Sequence, residues 1–184
     1  MCLNTVNEFK TGIFSLRTRR LGTVAEIMIR KMFGYSAPTN KYHDMTDPAT
    51  NDRVEVKFST ATRKNTTTIR EDNVVAQCIE ANELSNRVIS SLEVQREMFD
   101  CNIQQVKPAE FDILYYGLFF SDCVQIYKIK SVDINKKTIQ GWSGKQHAGN
   151  IGEGQFHIKN DTYSSHRIHF IKQLSYKELY ELLK

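Results

Sequence analysis

Asp44, Glu55 and Lys57 are the residues of this chain whose types and spacing could do chemistry together. Residues 43–59 read HDMTDPATNDRVEVKFS: an acid, a short polar turn, then a segment in which an acid and a lysine stand two positions apart. Two carboxylates and an ammonium are what a metal-dependent phosphodiesterase needs, hard oxygen donors for a divalent cation with a positive group beside them. Pairing residues 42–46 with residues 53–59 as an antiparallel hairpin, with Thr46 facing Arg53, sets Asp44 opposite Glu55. Partners on one face of such a pair lie roughly 4.5–5.5 Å apart at Cβ, where two carboxylates repel. A cation between them removes that penalty. Strand alternation puts Val54, Val56 and Phe58 on one face and Glu55, Lys57 and Ser59 on the other, so that the apolar face packs inward and the Glu–Lys face lines a cleft. In this register Asp47 and Asp52 point away from Glu55, and Asp47-Pro48 has the chemistry of a turn start. An acid two residues before a lysine also arises by accident, as at Glu8-Phe9-Lys10; the placed Asp44 and the amphipathic strand set the later pair apart.

These side chains need elements to position them. Residues 21–33 read as a helix, with Leu21, Val24, Ala25, Met28 and Met32 forming one stripe and Gly34 as the stop. Glu26 lies on the flank of that stripe, a boundary residue or one that points into an adjoining cleft. Residues 60–70 are polar, β-branched and basic, hence a loop or exposed ribbon; residues 72–99 are mostly helix-forming, with Lys107-Pro108 ending the region. Residues 111–120 (FDILYYGLFF) predict a central strand covered on both faces, and residues 124–129 a second strand. Residues 132–139 fit a hairpin, residues 141–154 a flexible glycine-rich loop, and residues 167–171 a last strand. Ser175-Tyr176-Lys177-Glu178 is a capping box, so Ser175 should open a final helix through Leu183.

A chain of 184 residues with 40% hydrophobic and 25% charged content is expected to form one soluble globular domain. No run approaches the length of a membrane span, and no apolar leader opens the sequence. The cysteines at 2, 78, 101 and 123 form no CxxC pair, which points to reduced thiols and a cytoplasmic setting. The net charge of +4 hides an asymmetry: residues 71–112 hold nine acids and three bases, and the basic residues gather elsewhere. A surface divided in this way suits a polyanion on one side.

The order of helix with Glu26, hairpin with Asp44, strand with Glu55-Val56-Lys57, helical stretch and apolar strand resembles the PD-(D/E)xK nuclease superfamily, with type II restriction endonucleases the nearest branch. The resemblance covers residues 20–130; His43 stands where the pattern usually has proline, and the C-terminal third carries no assigned motif. It implies an α/β (α+β) fold with a restriction-endonuclease-like core, a central mixed β-sheet flanked by helices. It also implies Mg²⁺ held by Asp44, Glu55 and the Val56 carbonyl, with Lys57 orienting or deprotonating the attacking water and Glu26 supporting the metal or Lys57. The implied reaction hydrolyses DNA phosphodiesters to a 5′-phosphate and a 3′-hydroxyl.

Base reading and phosphate contact then fall to Arg63, Lys64, Asn65 and Arg70, and to Lys145, Gln146, His147, Asn150, Gln155, His157, Lys159 and Asn160. A site-specific enzyme cutting both strands of double-stranded DNA is most simply a homodimer, with the acidic 71–112 region a candidate dimer surface. Three alternatives stay open. One is a nuclease built on the C-terminal histidines and asparagines. Another is a repair or recombination nuclease or resolvase of the same fold. The last is a non-catalytic nucleic-acid-binding protein.

Overall fold

The computed structural model describes residues 3–65, 67–146 and 150–184. The chain opens with two helices, α1 (Leu3–Ser15) and α2 (Thr18–Phe33). Helix α2 buries Leu21, Ala25, Met28 and Ile29, and ends as the sequence indicates, with Gly34 in the left-handed region at φ 71° accepting the turn that a Cβ would strain. A short strand, β1 (Met45–Thr46), pairs antiparallel with β2 (Arg53–Thr60) in the expected register, Thr46 against Arg53. Between them Asp47 builds the turn: its carboxylate takes the Ala49 N–H, its carbonyl the Asn51 N–H, and Asn51 supplies the left-handed residue.

After β3 (Thr62–Arg63) come two short helices, α3 (Val74–Glu80) and α4 (Leu84–Arg87), then β4 (Phe99–Val106), β5 (Ile113–Phe119) and β6 (Cys123–Lys130). The C-terminal part holds β7 (Ser143–Gln146), β8 (Asn150–Lys159), the single turn α5 (Asn160–Tyr163), β9 (Phe170–Ser175) and α6 (Tyr176–Leu183). The fold is mixed α/β with a mixed central sheet of order β1-β2-β5-β6-β9, in which β2 and β5 run parallel and the other neighbours antiparallel. One face is covered by α1, α2 and α6 over Val54, Val56, Tyr115 and Ile126. The other is covered by an antiparallel second sheet of order β3-β4-β8-β7, which buries Cys101, Ile103, Phe156 and Ile158 against Leu114, Tyr116 and Leu118. Every residue of β5 is buried, as its unbroken apolar run requires of a strand covered on both sides.

Four expectations are corrected. Residues 72–99 are not mainly helical. Helices α3 and α4 bury no residue, so no tertiary packing extends them, and the chain instead enters β4, whose Phe99, Cys101 and Ile103 alternate inward. Residues 132–139 form no hairpin: a 3₁₀ turn at Ser131–Asp133 is followed by a bend in which the Asn135 carboxamide accepts the Lys137 N–H. Of the glycine-rich stretch 141–154, residues 143–146 and 150–154 are strand, paired as β7 and β8, and residues 147–149 lie outside the described residues; Gly154 leaves room for the Trp142 ring, which a Cβ there would meet at 1.9 Å. The last strand starts later than expected, at Phe170, because Ser164–His169 winds as a 3₁₀ helix with His166 buried. The 175–178 capping box forms as read, Ser175 and Glu178 exchanging side chain-to-backbone bonds. Among the described residues, no helix is long and apolar enough to cross a membrane.

Candidate functional site

Strand β2 presents Val54 and Val56 to the helical layer and turns Glu55, Lys57 and Ser59 towards β4. Its start is fixed by Arg53, whose backbone and guanidinium both donate to the Asp112 carboxylate just before β5. Asp44 sits at the entrance to β1. Its N–H donates to the Val54 carbonyl at 3.0 Å, and its Oδ2 accepts the Val56 N–H at 2.8 Å. One aspartate thus ties the end of the hairpin to the strand that carries the Glu-Val-Lys element.

The three side chains of the sequence argument converge. Lys57 Nζ contacts Glu55 Oε1 and lies 4.0 Å from Asp44 Oδ2. They share a cleft of about 240 Å³ with His43 and with Gln105, Lys107 and Glu153 at the ends of β4 and β8. Glu26, from the middle of α2, faces the same group from the helical side: it lines a neighbouring cavity with Asp44 and another with Lys57. Burial raises the Glu26 carboxyl above its ordinary value, with the Asp44 charge adding to the rise and Lys57 and Arg30 opposing it. Glu55 is pushed up to about 7, first by burial and further by Asp44 and Glu110, against the pull of Lys57. The facing acids of the sequence argument are present, and Lys57 stands between them to offset their repulsion.

The donor set suits a small, hard cation. Two carboxylates from adjacent ribbons both face the Lys57 ammonium, and few protein donors are what Mg²⁺ takes when water and phosphate oxygens complete its shell. The Val56 carbonyl lies on the same edge of β2 as its N–H, the edge that meets Asp44, because strand amides alternate in direction. No group of three or more His, Cys, Asp or Glu residues able to hold a metal occurs among the described residues.

Several residues of the cleft carry no signal in the sequence motif. Gln105 occupies a bulge in β4 with φ 56°, outside the usual range for a side chain of its kind, and its N–H is held by the Gln146 carboxamide at 2.8 Å. The bulge places Gln105 where the cleft meets the groove beside α2. Lys107 reaches Glu153 at 3.0 Å, and His43 is buried, its Nε2 near Thr46 and its Nδ1 without a partner among the described residues. Only the alternation of Phe99, Cys101 and Ile103 could have pointed to β4, and nothing in the residue types marks the bulge.

The proposed DNA contacts are dispersed. Arg63 is held by Glu93 at 3.3 Å and by Glu97, while Lys64 and Asn65 line a separate basin and Arg70 is exposed. Lys145 is exposed on β7, and Gln155 and Lys159 are half-buried on β8, with Lys159 3.1 Å from Asp161. Gln146 and Asn160 are structural here: Gln146 is buried on the β4 bulge, and the Asn160 amide donates to the Val94 and Glu97 carbonyls while its oxygen accepts the Phe99 N–H. His147 lies outside the described residues, and Asn150 is described through its backbone only. Among the described C-terminal histidines, His157 stands apart, paired with Asp100 on the outer sheet face, whereas His166 and His169 lie together against Tyr116, with His166 buried. Comparison with known protein families, with curated proteins and with solved structures finds no match.

Proposed function

We propose that this protein is a Mg²⁺-dependent DNA endonuclease of the PD-(D/E)xK kind. The observation that carries the reading is the convergence of Asp44, Glu55 and Lys57 in one cleft, with Glu26 beside them. Asp44 and Glu55, with the Val56 carbonyl, would hold the cation. A bound cation would polarise the scissile phosphate and lower the pKa of a coordinated water. Lys57, freed from Glu55, orients the attacking water and offsets the negative charge on the phosphoryl oxygens as the water oxygen bonds to phosphorus and the P–O3′ bond breaks, a water proton ending on the 3′-oxygen. Glu26 acts through its neighbours, fixing where the Lys57 ammonium rests. The products are a 5′-phosphate and a 3′-hydroxyl.

The finer form of this reading is a type II restriction enzyme acting on double-stranded DNA as a homodimer. Support for a dimer comes from α3, whose Val75 and Ile79 are 69% and 68% exposed within the acidic 71–112 segment. Digestion of a sequenced plasmid by the purified chain, with and without Mg²⁺, tests the proposal. Cation-dependent cleavage that is lost in Lys57→Ala and Asp44→Asn is the expected result, and discrete bands would mark sequence specificity. Cleavage that survives both substitutions refutes the assignment, and nucleic-acid binding with no cleavage at all leaves a binding protein.

A further inference from the structure

Three cavities follow one another along β2, beyond the part that β1 covers. The cleft over Glu55 and Lys57 shares Lys57 and Gln105 with a groove of about 560 Å³. A basin of about 570 Å³ shares no lining residue with the groove but lies next along the strand, from Thr60, the residue after Ser59 of the groove, to Lys64 and Arg87. The floor is strand backbone. The Arg53 carbonyl faces β5, where it accepts the Asp112 N–H, and the Val54 carbonyl faces β1, where it accepts the Asp44 N–H. Alternation therefore turns the peptide groups of Val56 and Phe58 towards the uncovered edge, since β1 pairs only as far as Val54. The walls are the first turns of α2, at Thr18, Arg19 and Gly22, and the β4 residues Asn102 and Gln104.

Resting on the phosphodiesterase reading above, and replacing the uninterrupted duplex of its type II form, we propose that this groove carries one strand of nucleic acid away from the scissile phosphate, so that the preferred substrate has a single-stranded tail or branch beside the cut. The layers that form the walls are stacked on either side of the central sheet, roughly 10 Å from it, and their side chains fill much of that space. A groove of about 560 Å³ has the volume of a small-ligand pocket, enough for part of one strand and not for a duplex. Arg19, Lys64 and Arg87 line the path with no ion-pair partner among the described residues, against the acids Glu26 and Glu80. The N-cap of α2, Arg17, makes no side-chain cap, which leaves the Thr18 and Arg19 amides for a phosphate oxygen. Phe58 and Phe14, one in the groove and one in the basin, are partly buried rings on which bases can stack without regard to sequence. An added peptide strand would meet the same edge, where Asp44 already takes the Val56 N–H, and it would not match the unpaired Arg19 beside Lys57 or Lys64 and Arg87 in the next cavity.

The test compares a blunt duplex with the same duplex carrying a single-stranded tail. Binding is read by fluorescence anisotropy on the Lys57→Ala chain in Mg²⁺, and cleavage is read separately on the unaltered chain. The tail should tighten binding by about tenfold or more, as one stacked base and a few phosphate contacts supply. Replacing Lys64 and Arg87 together (K64A/R87A) should weaken tailed DNA by a larger factor than blunt DNA. Equal affinity for the two substrates, or an equal loss on both in K64A/R87A, overturns the groove assignment. So does binding of an extended Val-Thr repeat peptide in place of the tail. Cation-dependent cleavage without tail preference would remove the groove proposal and keep the nuclease. Tail preference without any cleavage would do the reverse.

Discussion

At the scale of single residues, the chemistry turns on how charge is shared among Asp44, Glu55, Lys57 and Glu26. Glu55 must be ionised to hold a cation, and its carboxyl is pushed up to about 7 by burial, Asp44 and Glu110. Protons therefore compete with the cation below that value. We expect the apparent affinity for Mn²⁺, used in place of Mg²⁺ and followed calorimetrically, to be weaker at pH 6 than at pH 8, by up to about tenfold per pH unit below 7. An affinity that does not change over that range would remove Glu55 from the site. Lys57→Ala should cut turnover by about a hundredfold or more while leaving the fold intact, because its side chain is at the cleft and not in either core. Asp44→Asn keeps an oxygen to accept the Val56 N–H, so its thermal midpoint should change little while cleavage is lost. The residues of the motif and their mutual register were legible in the sequence. Gln105 and Lys107 were not, because they reach the cleft from a strand distant in the chain and through a bulge.

At the scale of elements, two contacts decide whether the frame holds. Gly117, in the middle of β5, lies under the Phe58 ring, and a Cβ there would meet the Gln125 carbonyl oxygen at 2.2 Å and the ring at 2.3 Å. Backbone cannot yield as a flexible side chain does, so Gly117→Ala should destabilise the protein by about 1–3 kcal/mol or more, read as a lowered denaturant midpoint. A variant as stable as the parent would show that β5 and β6 can part at that point. His166 is the second contact. It is 1% exposed, its Nδ1 is 3.0 Å from the Tyr116 hydroxyl, and burial, followed by the nearby His169, lowers it to about 4. The unfolded chain takes up this proton near pH 6.5 and the folded one only near 4. Stability from this group is thus complete above 6.5 and declines as pH falls towards 4, by at most about 3 kcal/mol. Thermal unfolding followed across pH 7 to 4 should show that decline, and His166→Phe should flatten it.

At the scale of the whole molecule, the two faces of the central sheet divide the work. The helical layer brings Glu26 to Asp44 and Lys57 from one side, and the second sheet brings Gln105, Lys107 and Glu153 from the other. If a dimer forms through α3, sedimentation should show a two-chain species that Val75→Lys with Ile79→Lys converts to a single chain; an unchanged sedimentation profile would leave α3 without that role. The sequence alone determined the features that depend on near neighbours: the α2 stripe and its Gly34 stop, the Asp47 turn and the hairpin register it sets, the buried run of β5 and the Ser175 cap. Each is decided within a few residues, by periodicity, turn chemistry or capping. Only the tertiary structure decided the rest. The second sheet draws β4 and β8 from stretches whose composition favours helix or loop, because burying Cys101, Ile103, Phe156 and Ile158 against the central sheet outweighs weak local preference. That packing over long sequence separations closes the cleft and builds the walls of the groove beside it.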